Sequence, residues 1–370
     1  MSKPKIIITG GGTGGHLLPM VSVAESLKDD YEVIFFTSFE PMADRISGFA
    51  NFKRVRVLSG KIHRYHSLTS YFQNIANITR FIFGVVQAFV ILIFDRPKLI
   101  FSKGGYASLP TVIAGHALRI PIIIHESDLT PGLANRIAIN YADKICVSFP
   151  PENYNLPLDK IVYSGHILRV IKADGGMKRK LNLSDLPTLL VTGGSQGSLS
   201  INKSIAKILP ELLEKINVIH LSGEKDYLWL REIVLDLEKF PGKYHLESYS
   251  PLILDYMSVS DLILTRAGSN SLAEIAALKK PAIIIPYRYA AAGHQEDNAN
   301  YVVRIGGGEI LLEEDLNASK LKEKIFGFID DKEKLKLSGE NAFKANSFEG
   351  VRVVKELINE IIQKNEQRKS

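Results

Sequence analysis

Short runs of strand-forming residues alternate with stretches of helical periodicity along the whole chain, and this alternation constrains the fold more than any other feature. Parallel sheets that are covered by helices on both faces have this repeated strand–helix pattern. The sequence therefore predicts an α/β protein built on doubly wound, Rossmann-like parallel sheets. The predicted strands are Ile6–Thr9, Val33–Thr37, Leu99–Ser102, Ile122–His125, Ile145–Val147, Leu189–Thr192, Val218–Ser222, Leu262–Thr265 and Ala282–Pro286.

The alternation stops once near the middle of the chain and then restarts. Residues 149–174 are rich in Pro, Gly and Asn, and a new apolar strand with a new glycine turn follows them. The chain of 370 residues also exceeds the size of about 250–300 residues at which one core stops growing. We therefore predict two doubly wound domains, 1–163 and 164–347, that face a cleft, with a C-terminal helix over 348–370 packing back on the first domain.

The composition excludes a disordered, fibrous or disulfide-stapled chain. Hydrophobic residues make up 45% and charged residues 23%, which is enough apolar surface to offset the entropy of folding. The single cysteine, Cys146, cannot form an internal disulfide, and the apolar run Ile6–Ile8 is too short for a secretion signal, so we expect a cytoplasmic protein. The net charge of +6 leaves nucleic acid, an anionic membrane, a phosphorylated ligand and a plain surplus of surface lysines open.

The longest uncharged apolar run is Phe81–Phe94. As a helix it would span about 21 Å, which is less than the hydrocarbon core of a bilayer at about 30 Å. A basic flank precedes the run, and a basic rim beside apolar surface is typical of a segment that lies on anionic lipid. We expect an interfacial segment, with a buried core helix as the alternative. The flank contains Lys61, His63, Arg64, His66 and Arg80.

Three glycine-rich turns each follow a predicted strand. They are Gly10–Gly15, Gly193–Gly197 and Lys103–Gly105. Bare backbone N–H groups at the start of a helix bind phosphate, and the first two turns together would hold one diphosphate between the two domains. The third turn would carry a further phosphate, with Lys103 adding positive charge.

The first glycine turn also satisfies the fingerprint of dinucleotide-binding proteins, with Gly10, Gly12 and Gly15 at the required spacing. That function needs an acidic residue after the second strand to hold a ribose, and this chain has Thr37 and Ser38 there. An NAD(P)-dependent oxidoreductase is therefore disfavoured. Tight helix–sheet packing explains one or two of the glycines.

Two polar groups follow later strands of the second domain. Glu274 lies near the start of a predicted helix, where a carboxylate can accept both hydroxyls of a ribose, although a capping box with Ser271 is the alternative. The polar cluster 293–298, which contains Gln295, suits sugar hydroxyls, and a solvated loop is the competing interpretation.

Several sequence motifs of other chemistries are absent. The chain contains no D-x-D triplet, no H-E-x-x-H, no cysteine pair, no G-x-x-x-x-G-K-[ST] and no G-x-S-x-G. We therefore expect no metal site and no cofactor, so that helix ends, amides and protein cations neutralise any diphosphate.

Six motifs occur in order between Ile6 and Ala299: GGGTGGH, SKGGYASLP, HESDLTPGLANR, VTGGSQGS, RAGSNSLAEIAA and HQEDNA. On these motifs the chain resembles the MurG family of inverting glycosyltransferases, which have the GT-B fold. The family moves N-acetylglucosamine from UDP-N-acetylglucosamine to the C4 hydroxyl of lipid-linked muramyl-pentapeptide in peptidoglycan synthesis. The resemblance implies this hexosyltransferase activity, with a place on the cytoplasmic face of the plasma membrane and no nucleic-acid partner.

The resemblance also assigns roles to site residues. It implies that the first turn faces donor and acceptor, that Ser195 holds the diphosphate, that Glu274 holds the ribose and that Gln295 holds the N-acetylglucosamine hydroxyls. Arg169 resembles a donor-contacting arginine. The full set of expected substrate-binding residues is Thr13, Gly14, Gly15, Gly104, Gly105, Asp128, Arg169, Ser195, Gln196, Ser269, Glu274 and Gln295.

The chain departs from the family at one place, where the usual HEQN is His125-Glu126-Ser127-Asp128. Asp128 can accept a hydrogen bond from a sugar hydroxyl but cannot donate one. For the general base we favour His16, because the positive end of a helix would keep its imidazole neutral. Asp128 and Glu126 are the other candidates for this role, and packing or phosphate binding is the alternative for His16.

Three other functions stay open at this point. A glycosyltransferase of the same fold that loads diacylglycerol from a UDP-sugar is the nearest. The NAD(P)-dependent oxidoreductase is the second, and a non-catalytic scaffold that recruits a partner to the membrane is the third.

Overall fold

The computed structural model describes residues 3–11, 14–39, 51–60, 68–169, 176–194, 196–233 and 237–367. The chain divides into two compact units. The first is Met1–Arg169 with Ser347–Ser370, and the second is Val170–Asn346. Each unit contains one parallel sheet with helices packed against it, which confirms the predicted α/β class.

The first unit contains, within the described residues, a sheet of seven parallel strands in the order β3-β2-β1-β4-β5-β6-β7. The order reverses between β1 and β4, the position at which doubly wound sheets bind ligands beyond the carboxyl ends of the strands. The strands are β1 Lys5–Gly10, β2 Glu32–Thr37, β3 Lys53–Arg56, β4 Leu99–Gly104, β5 Ile122–Glu126, β6 Lys144–Val147 and β7 Ile161–Tyr163.

The helices of the first unit pack on both faces of this sheet. The C-terminal helix contributes Val354 and Ile358 to the buried core that it shares with α1 and β1. The hydroxyl of Tyr31 also donates a hydrogen bond to Asn359 Oδ1 at 2.7 Å. The helices are α1 Gly14–Leu27, α2 Leu68–Asp95, α3 Leu109–Ala117, α4 Leu133–Ala138 and, at the C-terminus, α13 Gly350–Gln367.

The second unit repeats this topology. Within the described residues its sheet has six parallel strands in the order β10-β9-β8-β11-β12-β13, and the order reverses between β8 and β11. The strands are β8 Thr188–Thr192, β9 Asn217–Leu221, β10 Tyr244–Glu247, β11 Leu262–Thr265, β12 Ala282–Ile284 and β13 Gly308–Ile310. The helices are α5 Met177–Lys180, α6 Leu199–Leu213, α7 Glu224–Ile233, α8 Ile253–Val259, α9 Ser269–Ala277, α10 His294–Arg304, α11 Ala318–Ile329 and α12 Lys332–Lys344.

All nine predicted strands are present, and the described residues contain four further strands that were not predicted: β3, β7, β10 and β13. Each has three or four residues, and none of them has a fully buried residue. Each pairs with only one neighbour at a sheet edge or end. A short half-exposed strand lacks the apolar run on which the prediction depended, and only pairing with a neighbour defines it.

Helix α2 is longer than the run of 14 apolar residues that suggested it. It has 28 residues, and its part from Gln73 to Asp95 is long and apolar enough by length and composition to cross a membrane. The run 81–94 therefore understates the helix, since polar residues interrupt the apolar pattern before Arg80 without ending the helix. Only 17% of its most apolar window is buried, so the interpretation as a buried core helix is wrong.

Candidate functional site

The glycine turns after β1 and β4 lie against each other at the switch point of the first sheet. A Cβ on Gly105 would lie 2.1 Å from the carbonyl oxygen of Gly11, and one on Gly10 would lie 3.3 Å from the carbonyl oxygen of Gly104. A Cβ on Gly104 would also meet Asn135 Oδ1 at 2.5 Å. These glycines are therefore required for close packing of the two turns, beside any contact with a ligand.

The turn after β5 holds a buried polar cluster next to these glycines. The carboxylate of Glu126 accepts a hydrogen bond from the Asp128 N–H at 2.9 Å and one from Asn135 Nδ2 at 2.8 Å. Lys103, the fifth residue of β4, donates a hydrogen bond from its ammonium to Ser127 Oγ. Lys103 is 1% exposed and Glu126 is 3% exposed, whereas Asp128 is half-buried.

Burial shifts the pKa values of three side chains in this cluster. Desolvation lowers the pKa of Lys103 to about 8, although Glu126 and Asp128 raise it by attraction. Desolvation and the charge of Asp128 raise the pKa of Glu126 to about 7, against hydrogen bonds from Asp128 and Asn135 and the charge of Lys103. Desolvation together with the charge of Lys103 lowers the pKa of His125 well below its usual value. A carboxyl group that titrates near pH 7 suits proton transfer.

Lys103 differs from its predicted use. It was expected to add charge to a phosphate-binding turn, but β4 is buried along its whole length and the ammonium points to Ser127 inside the unit. In the sequence, the feature that singled out Lys103 is a cation between an apolar strand and two glycines. Its burial could not be foreseen because alternation does not apply to a strand with both faces covered.

Two other predicted residues of the first unit, His16 and Arg169, lie in the first turn of α1 and after β7. His16 is half-buried and is the third residue of α1, so it lies in the first helical turn, where the helix dipole disfavours a protonated imidazole. Gly14 and Gly15 begin this helix, and Thr13 lies outside the described residues. Arg169 is half-buried at the end of the first unit.

In the second unit, two helices begin without a side-chain cap at the switch point. Ser198 is the N-cap of α6, but its hydroxyl makes no capping hydrogen bond. Gly268 is the N-cap of α9 and has no side chain to offer. Helix N–H groups that lack a cap are donors for an anion, and β8 and β11, which precede these helices, are adjacent strands.

The glycines of this unit divide into packed and open positions. A Cβ on Gly193 would lie 2.4 Å from the Ser198 nitrogen, and one on Gly197 would lie 2.1 Å from the Ser222 carbonyl oxygen. Nothing lies within 4 Å of a Cβ on Gly194 or on Gly268. Packing therefore accounts for Gly193 and Gly197, while the other two expose backbone at the edge of the sheet. Gln196 is exposed beside them, and Ser195 lies outside the described residues.

Arg266, which was not predicted from the sequence, forms hydrogen bonds with several elements at this edge of the sheet. Its Nη2 donates to Glu313 Oε1 at 2.6 Å and to Ser198 Oγ at 2.7 Å. Its Nη1 donates to the carbonyl oxygens of Ile285 and Pro286 at 3.2 and 3.3 Å. Burial raises the pKa of Glu313, but the hydrogen bonds from Arg266 and Ser200 outweigh it and lower that pKa. The arginine thus fixes the start of α6 relative to the ends of β11 and β12.

The structure distinguishes between the two interpretations of Glu274. Helix α9 begins at Ser269, with Gly268 as its N-cap, so Ser271 lies inside the helix and the capping box is wrong. Glu274 is half-buried in the second turn. Ser269 is buried in the first turn of the helix, beside the open backbone of Gly268.

Gln295 lies at the start of α10 and reaches the ends of two strands. Its Oε1 accepts hydrogen bonds from the Tyr287 N–H at 2.9 Å and the Ala267 N–H at 3.3 Å. Asn298 Nδ2 donates to the Ala267 carbonyl oxygen at 3.1 Å from the same helix. Because the oxygen of Gln295 is engaged by backbone, its amide nitrogen is the group that remains for a sugar hydroxyl. The interpretation of this segment as a solvated loop is wrong, since it is helical.

Among the described residues, no group of three or more His, Cys, Asp and Glu side chains has the arrangement of a metal site. Both glycine-turn clusters are instead built from backbone donors, one arginine network and a buried lysine.

The chain is similar to known glycosyltransferases along nearly its whole length. Residues 6–147 match the glycosyltransferase family 28 N-terminal domain, and residues 188–355 match the glycosyltransferase family 28 C-terminal domain. A relative from Lachnospira eligens is 38% identical over 323 residues, covering 86% of this chain and 88% of its own. A relative from Clostridium botulinum strain Langeland is 35% identical over 360 residues, covering 96% and 98%. Both are named UDP-N-acetylglucosamine--N-acetylmuramyl-(pentapeptide) pyrophosphoryl-undecaprenol N-acetylglucosamine transferase.

Solved structures share the fold. The crystal structure of Acinetobacter baumannii MurG aligns with a TM-score of 0.76 at 20% identity, covering 96% of this chain and 99% of that one. A glycosyltransferase of kitacinnamycin aligns with a TM-score of 0.72 at 14% identity, covering 97% and 99%. These likenesses support the GT-B type of architecture with two Rossmann-like units.

Proposed function

This chain belongs to the MurG family of glycosyltransferases, and from that premise we propose that it makes a lipid-linked disaccharide of peptidoglycan synthesis. It transfers N-acetylglucosamine from UDP-N-acetylglucosamine to the C4 hydroxyl of the N-acetylmuramyl-pentapeptide that is attached to a polyprenyl pyrophosphate. The reaction contributes to cell-wall synthesis, and through it to cell shape and division.

One observation carries the donor half of the proposal. At the switch point of the second unit, two uncapped helices begin beside the open backbone of Gly194 and Gly268. Such a site suits the diphosphate of a nucleotide sugar, with Ser195, Gln196 and Ser269 contributing further polar groups. Glu274 accepts the ribose hydroxyls, and the amide nitrogen of Gln295 donates to the sugar.

The acceptor half of the proposal rests on the first unit. The turn after β5 presents the half-buried Asp128 and the buried Glu126 next to the glycines 104 and 105. His16 lies in the first turn of α1, which follows β1, the neighbour of β4 in the sheet. These groups supply hydrogen-bond acceptors for sugar hydroxyls, and Thr13, Gly14 and Gly15 complete the proposed contacts to donor and acceptor. Arg169 is proposed to contact the donor.

The proposed mechanism is one direct displacement. The C4 oxygen of the muramyl sugar forms a bond to the anomeric carbon as the bond from that carbon to the donor phosphate breaks, and the anomeric centre inverts. The hydroxyl proton passes to the base, for which we favour His16 ahead of Glu126 and Asp128. The electron pair leaves with UDP, whose charge is stabilised by helix N-termini and backbone N–H groups.

The lipid acceptor requires contact with a membrane, and helix α2 supports one. Gly84, Ala88 and Leu92 form its buried stripe. Large apolar side chains cover its outer side: Ile75, Ile78, Ile82, Phe83, Val86, Val90, Ile93 and Phe94. Exposed apolar surface of this extent marks a contact region.

The position of α2 in the chain supports the same proposal. Because α2 connects the parallel strands β3 and β4, its start lies beyond the carboxyl ends of the strands, on the edge that carries the glycine turns. Arg80 is exposed on it, whereas Lys61, His63, Arg64 and His66 lie outside the described residues. We propose that this face holds the enzyme on anionic lipid at the cytoplasmic side of the plasma membrane.

The decisive experiment measures transfer of radiolabelled N-acetylglucosamine from its UDP donor to purified lipid-linked muramyl-pentapeptide. We expect transfer with inversion, and persistence of transfer in the presence of a chelator. Diacylglycerol and UDP-glucose or UDP-galactose serve as the alternative acceptor and donors. Transfer to diacylglycerol in place of the muramyl lipid would assign the chain to glycolipid synthesis, and absence of both transfers would refute the proposal.

A further inference from the structure

Lys103 is a buried cation that the mechanism above does not use. It lies on β4, is 1% exposed, and donates a hydrogen bond to Ser127 Oγ on the neighbouring turn. Removing an ammonium from water is costly, and an apolar side chain of the same length would fill the space without that cost. A buried lysine at this position therefore requires a compensating interaction.

The compensating charges lie in the turn that follows β5. Lys103 interacts electrostatically with the carboxylates of Glu126 and Asp128. Glu126 is 3% exposed, so its carboxylate is almost completely buried. The Asp128 N–H and the Asn135 amide each donate a hydrogen bond to one of its oxygens. Without a cation, two neighbouring carboxylates in this turn would repel each other, and one would bind a proton.

We propose that Lys103 is a positioning residue of the acceptor site, whose ammonium offsets the carboxylates of Glu126 and Asp128 and holds the 126–128 turn for hydrogen bonding to an acceptor sugar hydroxyl. The inference rests on the proposed function, and it gives Lys103 a role other than the phosphate binding that the sequence predicts for its turn. It also explains how a carboxylate at position 128 is tolerated beside a buried Glu126: the cation reduces the repulsion between them.

The structure limits the other groups that could supply this charge. His125 on β5 is buried, and its pKa lies well below the usual value because of desolvation and the nearby Lys103, so it is neutral. Asn135 on α4 is neutral, and Tyr154, which is also buried here, has a raised pKa. Of the four residues Lys103, His125, Asn135 and Tyr154, Lys103 is therefore the one that carries a positive charge.

The test is a double-mutant cycle on the full-length enzyme with purified lipid-linked muramyl-pentapeptide. The variants are Lys103→Met, Asp128→Asn and the double variant, with Lys98→Met as the matched control. Lys98 forms an exposed ion pair with Glu366 at the opposite end of β4. The measurements are kcat, KM for acceptor, KM for donor, and the thermal unfolding midpoint.

We expect Lys103→Met to lower kcat/KM for the acceptor about tenfold or more while KM for the donor changes less than about twofold. The double variant should recover to within about threefold of Asp128→Asn alone, because removal of both charges leaves less to compensate. Lys98→Met should match the wild type. Unchanged activity of Lys103→Met would overturn the proposal, and so would an equal loss of kcat/KM for the acceptor from Lys103→Met in the wild type and in the Asp128→Asn background.

A second readout covers the case in which Lys103→Met does not fold. Asp128 raises the pKa of Glu126 and of Lys103, so Asp128→Asn should move both limbs of the pH profile of kcat/KM for the acceptor to lower pH. If Lys103 only fills space, the basic limb of the pH profile of Asp128→Asn stays at its wild-type position. That result would refute the proposal. Wild-type enzyme that fails to transfer to the muramyl lipid refutes the proposed function instead, and the unfolding midpoints of the cycle still report on the Lys103–Asp128 coupling.

Discussion

The carbonyl oxygen of Gly11 occupies the space in which a side chain on Gly105 would begin, because a Cβ there would lie 2.1 Å from that oxygen. Gly105 also has a φ of +82°. The turns after β1 and β4 are therefore in backbone contact at the switch point of the first sheet. Their glycines set the distance between the two turns.

Gly105→Ala should destabilise the first unit by about 2–4 kcal/mol, because the added methyl group meets backbone and the left-handed conformation is strained for alanine. Thermal and denaturant unfolding measure this effect. Gly327→Ala is the control, since residue 327 lies in α11 and a Cβ there would meet only the end of the flexible Lys334 side chain, at 4.0 Å, and alanine there should be neutral or stabilising by up to about 1 kcal/mol. Equal stability of Gly105→Ala and wild type would contradict the packing argument.

Arg266→Lys should raise KM for the UDP donor about tenfold, because an ammonium cannot make the five hydrogen bonds by which the guanidinium joins Ser198, Ser200, Glu313 and two carbonyl groups. The start of α6 would lose its fixed position while the charge is kept. Steady-state kinetics and donor binding by calorimetry measure the effect. The control is Arg304→Lys, which changes an exposed arginine at the end of α10. A donor KM within about twofold of wild type would refute the role of Arg266.

His16→Ala should lower kcat at least about a hundredfold and leave donor KM within about threefold, because loss of a general base removes proton transfer from the transition state alone. The control is His116→Ala, an exposed histidine in the last turn of α3. If kcat is retained, the base is Glu126 or Asp128, and Glu126→Gln then becomes the informative variant.

His220 should make the second unit sensitive to acid. Its imidazole is buried between Tyr244 and Asn202, at 2.9 Å from each, and desolvation lowers its pKa from 6.5 to about 3. Below pH 6.5 the His220 imidazole binds a proton in the unfolded chain but stays neutral in the folded chain. The free energy of unfolding therefore falls as pH drops from 6.5 towards 3. The loss at pH 5 should be about 2 kcal/mol.

His220→Gln tests this prediction. The variant should be less stable than wild type at pH 8, because the two hydrogen bonds change, yet its stability should decline less between pH 7 and pH 5. Unfolding midpoints across this range provide the measurement, and His116→Gln, which changes an exposed imidazole, serves as the comparison. A variant with the full acid dependence of wild type would show that His220 is not its source.

Phe83→Glu and Phe94→Glu should each lower binding to anionic vesicles about tenfold, because each removes an apolar side chain from the exposed side of α2 and adds repulsion. The two phenylalanines are 61% and 81% exposed. Charge reversal at Lys61, Arg64 and Arg80 should weaken the same binding. Leu228→Glu is the control, since that leucine is 69% exposed on α7 of the second unit. Reduced binding of the control alone would place the membrane contact elsewhere.

The sequence by itself determined the architecture, because nine buried parallel strands are apolar runs that need no partner to be recognised. The same reasoning could not find β3 or β13, since short half-exposed strands are defined by pairing with a neighbour. It also began the apolar helix of the first unit too late, because the helix already runs through the polar positions that precede the apolar run.

Only the tertiary structure decided what the polar residues do. Glycine spacing predicted turns that expose backbone, but it could not separate Gly194, which faces open space, from Gly105, whose space is taken by Gly11. The sequence predicts a phosphate contact for Lys103 and nothing for Arg266, whereas their contacts in the structure are with atoms that are distant along the chain, Ser127 for Lys103 and Glu313 for Arg266. Apolar periodicity is a local property of the chain, whereas compensation of a buried charge depends on which strand ends the sheet brings together.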